Sequence, residues 1–243
     1  MSEPSSVPER RHPVRAAFGW AVFLVLMAMT IFIGFRVWYY YDKLRRGEIV
    51  YLPQYTDKFT AAAPLGSSVP IVDRALVETA DDPSFGPADA KLTIVEFADF
   101  ECPYSRAAAP TVRSLTAKYG DRVRFIYRDW PLSTIHSHAE SAAVAGGCAN
   151  NQGKFWAYHD RLYGGTGLGY SDLVRYAREA GLDSKAFESC LAENRYKEEV
   201  KKDLSDGIDA GVRGTPTFFL NGQRIEGDVP YNVFEQLIGK LLQ

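Results

Sequence analysis

The longest apolar stretch of the chain lies near its N-terminus, where residues 16–35 contain no ionisable side chain. A helix of this length, rising about 1.5 Å per residue, spans the roughly 30 Å hydrocarbon core of a bilayer. The stretch is longer than the apolar part of a cleaved signal peptide, and it continues into the aromatic residues 38–41, which are typical of a membrane interface. The pattern therefore predicts an uncleaved transmembrane anchor over residues 16–38.

The segments around this stretch have the composition of a polar arm, residues 1–15, and of a linker punctuated by Pro, Gly and Ser, residues 39–75. Basic residues flank the apolar stretch on both sides, so charge bias alone does not decide the orientation. The short arm favours a cytoplasmic N-terminus and a single pass through the cytoplasmic membrane, with the C-terminal domain on the outer, extracytoplasmic side.

From residue 76 onward the pattern alternates between short apolar runs and amphipathic segments. Residues 92–100 are almost continuously apolar, as in a central strand that is covered on both faces. Residues 102–120 have the pattern of a helix with Pro103 in its first turn, and residues 122–130 have that of a second strand. These segments predict a strand-helix-strand unit at the start of an α/β domain.

The rest of the domain divides into two parts. A mostly helical stretch runs from about residue 137 to residue 210. A hairpin with Asn221-Gly222 at its turn and an amphipathic helix then close the chain. The order of elements over residues 76–243 predicts a mixed sheet with helices on both faces and a helical insertion.

Charge and histidine spacing exclude some partners. The formal net charge is −2, with seven Lys or Arg and four Asp or Glu in residues 1–50, and 21 and 26 beyond them. Neither part is basic enough to indicate a nucleic-acid partner. His136, His138 and His159 are not spaced with the cysteines as zinc ligands are, and we interpret the first two as residues that flank a helix. No metal and no other cofactor is expected.

The candidate chemistry lies in FECPYS, residues 100–105, where Cys102 stands between the first strand and the following helix. This segment ends the stretch TIVEFADFECPYS, and two further stretches follow it, CANNQGKFWAYHDRLYG at residues 148–164 and GVRGTPTFFLNG at residues 211–222. In this order and spacing, the three stretches resemble the DsbA-like thiol-disulfide oxidoreductases of the thioredoxin superfamily. The resemblance covers residues 76–243 and implies a thioredoxin-like fold that a helical insertion interrupts.

The sequence departs from this family at Ser105, which stands where the second cysteine of a C-P-x-C site usually lies. A helix that begins at Cys102 favours the thiolate, because unpaired amides and the helix dipole stabilise negative charge there. We expect the sulfur to be accessible to solvent and the Ser105 hydroxyl to donate a hydrogen bond to it. Because serine cannot displace a bound partner, another thiol must release a mixed disulfide at Cys102. The site therefore favours isomerisation or reduction over direct oxidation.

The resemblance also implies roles for residues around the cysteine. Glu96 corresponds to a buried carboxylic acid that helps to move protons at the site. Thr215 and Pro216 correspond to a loop with a cis proline that faces the cysteine. The main chain of this loop, together with Pro103 and Tyr104, would bind a substrate segment.

Three cysteines in an exported domain suggest one pair and one free thiol. The resemblance implies that Cys148 and Cys190 form a structural disulfide and that Cys102 is free. Such a bond persists only in an oxidising compartment, which agrees with an extracytoplasmic domain. Two separate buried thiols in a cytosolic domain are the alternative.

We therefore expect a membrane-anchored, extracytoplasmic oxidoreductase that acts on cysteine-containing exported proteins and is reset by a redox partner or a small thiol. The first alternative is a tethered peptide-binding or chaperone-like module without turnover, in which Cys102 is an inert buried thiol and Ser105 marks a loss of activity. The second is a cytosolic monothiol enzyme that handles glutathione adducts, which the predicted anchor disfavours.

Overall fold

The computed structural model describes residues 13–45 and 71–243, which belong to two separate units. The first unit contains helix α1, Pro13–Arg45. The described side chains of α1 are those of residues 20, 23–39 and 42. Its large apolar side chains are exposed, with Trp20 at 67% and Phe32 at 63% of their full area.

The predicted anchor over residues 16–38 lies within α1, although the side chains of residues 16–19, 21 and 22 are outside the described set. Among the described residues, no helix has both the length and the apolar character that crossing a membrane requires. The predicted arm up to residue 12 and the predicted linker at residues 46–70 lie outside the described residues.

The described residues of the second unit form a mixed five-stranded sheet with the order β1-β3-β2-β4-β5. The strands are β1 (Ser84–Phe85), β2 (Leu92–Ala98), β3 (Val123–Asp129), β4 (Thr217–Leu220) and β5 (Gln223–Glu226). β2 pairs in parallel with β3, and the other neighbouring strands pair antiparallel. The mixed sheet predicted from the sequence is confirmed. β1 was not predicted, because a strand of two residues shows no periodicity.

The helices of the second unit are α2 (Arg74–Val77), α3 (Pro103–Tyr119), α4 (Ala139–Asn150), α5 (Phe155–Gly164), α6 (Tyr170–Glu179), α7 (Ser184–Ala192), α8 (Lys197–Asp209) and α9 (Tyr231–Leu241). Helices α4 to α8 lie between β3 and β4 in the chain. They form a helical insertion in the part of the chain where the sequence predicts one, about residues 137–210.

Alternation along β2 decides which side chains reach which face of the sheet. Leu92 and Ile94 belong to the buried cluster beneath α3 and α9, whereas Val95 and Phe97 belong to the cluster on the opposite face. All seven residues of β2 are buried, which explains the nearly continuous apolar run. Glu96 has the same parity as Ile94, so its side chain points to the face that α3 covers.

The hairpin between β4 and β5 turns at Asn221 and Gly222, whose φ angles are 47° and 85°. Both angles are positive, as the predicted type I′ turn requires. A Cβ atom at Gly222 would lie 2.3 Å from the carbonyl oxygen of Val72, which excludes a larger residue. The Val72 amide donates to the Gly222 carbonyl over 3.0 Å, so contacts with the sheet begin before residue 76, where the sequence places the start of the domain.

The insertion has its own apolar core, and a disulfide joins two of its helices. Cys148 of α4 is bonded to Cys190 of α7, and their Cα atoms are 5.9 Å apart. This is the pairing that the resemblance implies, and it leaves Cys102 as a free cysteine. Tyr158 and Phe187 pack in the same core, with ring centroids 5.3 Å apart.

A buried ion cluster connects the sheet to the insertion. Arg128 of β3 is fully buried, and its guanidinium lies 3.0 Å from a carboxylate oxygen of Asp82. The same guanidinium contacts Asp203 at 2.9 Å and Asp206 at 2.7 Å, both in α8. The second oxygen of Asp203 accepts the amide of Asp129 at 2.9 Å. These contacts fasten α8 to the edge of β3.

Candidate active site

Cys102 stands at the junction between β2 and α3. It is the N-cap residue of α3, and Pro103 occupies the first turn, where proline leaves no amide unpaired. The Cys102 amide donates to the Asp99 carbonyl at 3.1 Å, and the Cys102 carbonyl accepts from the Arg106 amide at 3.0 Å. The predicted helix start is confirmed, and Cys102 lies at the helix end where amides are unpaired and favour negative charge.

The expectation that the sulfur is accessible to solvent is wrong for this conformation. Cys102 has no exposed surface, and its Sγ donates to the carbonyl oxygen of Thr215 at 3.4 Å. The reason lies in the sheet, because β4 pairs antiparallel with β2 and sets Thr217 opposite Phe97. This register brings Thr215, which precedes the cis proline Pro216, over the cysteine. In this arrangement the sulfur has no surface that a substrate disulfide could contact.

The expected hydrogen bond between Ser105 and the sulfur is also not observed. Ser105 is fully buried, and its Oγ accepts the amide of Asp99 at 3.4 Å. Among the described hydrogen bonds, none joins Ser105 to Cys102. Pro103 is exposed and Tyr104 is half-buried, so both lie on the surface beside the cysteine.

Asp99 is a site residue that the sequence did not reveal. It is buried, and its Oδ1 accepts the amide of Glu101 at 2.7 Å. Its Oδ2 accepts the amide of Leu132 at 2.9 Å and lies 2.7 Å from Nδ1 of His136. The sequence indicates His136 only as a residue that flanks a helix. An acidic residue three positions before the cysteine, in the turn after a strand, was the signal in the sequence.

Glu96, near the end of β2, is a buried acid. It is 5% exposed, and it stands opposite Tyr127 and Phe218 in the neighbouring strands. Burial raises the pKa of Glu96 to about 8, so the group is mostly protonated at neutral pH. It lines a small cavity with the side chains of Ile94, Val112, Leu115, Phe125, Ile126, Trp156, Phe218 and Phe234.

Aromatic side chains connect the turn to the insertion. Phe100 stacks on Tyr127 with ring centroids 5.1 Å apart, and the hydroxyl groups of Tyr127 and Tyr163 are 3.2 Å apart. Arg106 of α3 donates to the carbonyl oxygens of Tyr163 and Gly165 at the end of α5. Helix α3, which carries the cysteine at its start, is therefore held by the insertion as well as by the sheet.

The loop that covers the sulfur is tied to β5. The amide of Gly227 donates to the carbonyl of Pro216 at 2.8 Å. Arg213 contacts both carboxylate oxygens of Glu226, at 2.9 and 3.0 Å. The hydroxyl of Thr215 is buried and has no hydrogen-bond partner among the described residues.

The described residues contain no group of three or more His, Cys, Asp or Glu side chains that is arranged to hold a metal ion. The candidate site comprises one thiol at the start of α3, the Thr215 carbonyl before a cis proline, and a buried acid in the strand that precedes the thiol. Together with the mixed sheet and the insertion, these features define a thioredoxin-like domain with a single-cysteine site.

The family model described as Thioredoxin matches residues 78–240. The chain therefore belongs to the thioredoxin family.

Two solved structures illustrate the likeness. A thioredoxin-like oxidoreductase from Silicibacter pomeroyi is 28% identical with a TM-score of 0.62, over 68% of this chain and 95% of that one. The thiol-disulfide exchange protein alpha-DsbA2 from Wolbachia pipientis has a TM-score of 0.63 at 20% identity, over 69% of this chain and 91% of that one. At 20% identity, the likeness to alpha-DsbA2 shows the fold alone.

A similar segment also occurs within a longer curated relative. The Na(+)/H(+) antiporter NhaA 3 from Salinispora tropica is 42% identical over 175 residues, which are 71% of this chain and 26% of the antiporter. The chain thus spans about a quarter of the length of the curated relatives it matches.

Proposed function

We propose that this protein is a membrane-anchored thiol-disulfide oxidoreductase whose domain works outside the cytoplasm through Cys102. The observation that carries the proposal is the position of Cys102 as the N-cap of α3, facing the carbonyl of Thr215 before a cis proline. In the reaction, the Cys102 thiolate attacks one sulfur of a substrate disulfide. The bond from Cys102 to that sulfur forms, the substrate bond breaks, and the second substrate sulfur leaves as a thiolate.

The absence of a second reactive thiol decides how the reaction continues. Ser105 occupies the second position of the motif, and Cys148 and Cys190 are bonded to each other. A thiol of the substrate, of a redox partner or of a small molecule must therefore attack the mixed disulfide and free Cys102. Attack by a substrate thiol gives isomerisation. Reduction takes two external thiols: the first attacks the Cys102 sulfur and releases the reduced substrate, and the second attacks the resulting adduct, frees Cys102 and leaves with the first as a disulfide. Cysteine-containing exported proteins are the proposed substrates.

Substrate binding uses the loop that covers the sulfur. The Thr215 carbonyl, which accepts the thiol in the free protein, becomes available to a substrate amide once the loop moves. Pro103 and Tyr104 lie on the surface next to Cys102, where their side chains would pack against the substrate segment. Recognition through main-chain groups suits a broad set of substrates.

The anchor is the remaining part of the proposal. Residues 16–38 contain the stretch without ionisable side chains, and Arg36 near its end is followed by interfacial aromatic residues. A disulfide in the domain suits an oxidising compartment, which supports placing the domain outside the cytoplasm. The anchor would limit the enzyme to substrates that pass close to the membrane surface. We propose no nucleic-acid partner.

One observation favours a second candidate function. Because Cys102 has no exposed surface, the domain also suits a tethered module that binds peptides without covalent exchange. In that case the Thr215 loop binds an extended segment and the thiol takes no part.

One experiment separates the two functions. The full chain, purified in detergent, is mixed with two short peptides that are joined by one disulfide, and the product is measured by intact mass. The oxidoreductase gives an adduct of one peptide half that Cys102→Ala abolishes and a reducing agent removes. Peptide binding that is equal in the wild type and Cys102→Ala, with no adduct in either, would refute the proposed chemistry and support the binding module.

A further inference from the structure

Every polar group of Asp99 is engaged around the cysteine. Its carbonyl accepts the amide of Cys102 at 3.1 Å, and its amide donates to Ser105 at 3.4 Å. Its carboxylate accepts the amide of Glu101 at 2.7 Å and contacts His136 at 2.7 Å. One residue thus holds both ends of the C-P-Y-S motif, and its side chain extends to a different loop.

Asp99 is 2% exposed, so its carboxylate depends on hydrogen-bond donors within the protein. Two of these donors are backbone amides, those of Glu101 and Leu132. The third partner is Nδ1 of His136, which donates in the tautomer that carries its proton on Nδ1 and whose side chain is 15% exposed. A hydrogen bond to a buried charged group is stronger than one between neutral groups, and here His136 is the only side chain among the described residues that makes it.

A second contact ties the same two loops together. The amide of His138 donates to a carboxylate oxygen of Glu101 at 2.6 Å. The segment between β3 and α4, residues 130–138, is therefore joined at three points to the turn that carries Cys102. This segment also leads into the helical insertion.

We infer that His136 is a positioning residue, which acts through Asp99 to hold the Cys102 turn in its reactive geometry. The inference rests on the proposed function for its chemical meaning, and it assigns to the β3–α4 loop a part in setting the reactivity of the thiol. His136 donates from Nδ1 to Asp99, and Asp99 in turn fixes the amides of Glu101 and Cys102. Loss of the donor leaves a buried carboxylate short of one partner and loosens the turn.

The test compares three variants of the full chain. His136→Ala removes the donor, and His136→Asn keeps an amide nitrogen near the place of Nδ1. His138→Ala is the matched control, because the His138 side chain is exposed and makes no hydrogen bond within the described residues. Two quantities are measured: amide hydrogen exchange in the peptide that covers residues 99–105, and the rate at which Cys102 releases thionitrobenzoate from an aromatic disulfide.

We expect His136→Ala to speed exchange in residues 99–105 by about tenfold and to slow thionitrobenzoate release by about tenfold, as loss of a charge-assisted hydrogen bond implies. His136→Asn should stay within about threefold of the wild type, and His138→Ala should match it. Exchange in α9 should not change in any variant.

Two results would overturn the inference. The first is that amide hydrogens of residues 99–105 exchange in His136→Ala at the same rate as in the wild type. The second is that hydrogen exchange rises equally throughout the domain, which would indicate a structural role alone. If the wild type does not react with the disulfide, the proposed function fails, but hydrogen exchange still decides whether His136 positions the turn.

Discussion

The sulfur of Cys102 and the carbonyl oxygen of Thr215 lie 3.4 Å apart, although 113 positions separate the two residues in the chain. Cys102 has no exposed surface, and the Thr215 carbonyl is one of the groups that lie against its sulfur. The rate at which the thiol reacts therefore depends on how firmly the loop before Pro216 is held. This dependence leads to the first prediction.

Glu226→Gln should increase the rate of Cys102 alkylation by iodoacetamide. Glu226 binds Arg213 through both carboxylate oxygens and so ties the loop to β5. Because Arg213 is half exposed, the ion pair contributes only about 0.2–1 kcal/mol, which corresponds to an increase of up to about fivefold. Cys102 is the free cysteine, so intact mass reports its modification directly.

Glu179→Gln is the control for this measurement. Glu179 forms a comparable surface ion pair with Arg175 on α6, far from the loop in the chain. The control should alkylate at the wild-type rate. Equal rates for both variants and the wild type would show that the Glu226 ion pair does not restrain access to the sulfur.

Glu96→Gln should change the pH dependence of stability. Burial raises the pKa of Glu96 from 4.5 to about 8, so the folded protein binds a proton that the unfolded chain has lost above pH 4.5. The free energy of unfolding of the wild type must therefore fall as pH rises from about 4.5 to about 8. Glutamine removes this fall, and the variant should exceed the wild type by about 2–5 kcal/mol at pH 9.

Urea unfolding between pH 5 and 9 measures this difference in the free energy of unfolding. This range covers most of the interval between the two pKa values of Glu96, about 4.5 and about 8. Glu198→Gln is the control, because the Glu198 side chain is 83% exposed. Parallel curves for Glu96→Gln and the wild type across this window would contradict the assignment of a buried, protonated Glu96.

The fold and the site were not equally visible in the sequence. Strand β2, helix α3 and the insertion have strong local patterns, which is why their positions were predicted to within a few residues. The burial of Cys102 and the contact between Asp99 and His136 depend on segments that are distant in the chain, by 113 and 37 positions. Periodicity carries no information on such contacts, so the sequence predicted an accessible sulfur and gave His136 no role.

Arg128→Ala should destabilise the domain strongly. Arg128 is fully buried, and its removal leaves the carboxylates of Asp82 and Asp203 buried without their cation. Removing one partner of a buried ion pair lowers the free energy of unfolding by about 3–5 kcal/mol. Lys202→Ala is a matched control, because Lys202 contacts Asp206 of the same cluster at 3.1 Å. Its side chain is half exposed, so its removal leaves no fully buried charge without a partner. It should lower the free energy of unfolding by less than about 1 kcal/mol. Similar losses for the two variants in urea would contradict the role of Arg128.

Ser105→Cys should convert the protein into an oxidant. Ser105 lies in the first turn of α3, one turn from Cys102, and it is as fully buried as the cysteine. When Cys102 attacks oxidised glutathione, one glutathione leaves as a thiol and the other stays bound to Cys102 as a mixed disulfide, which the new thiol then attacks from within the protein. An internal disulfide forms, and glutathione leaves as a thiol. Intact mass should show a loss of two hydrogens in the variant and a glutathione adduct in the wild type.

The oxidised variant should then oxidise a reduced dithiol peptide and recover both of its own thiols, which the wild type cannot do in one cycle. Ser114→Cys is the control, because Ser114 is exposed further along the same helix. It adds a thiol that cannot reach Cys102. If Ser105→Cys keeps the glutathione adduct, as Ser114→Cys should, then the absence of a second thiol is not what limits the site.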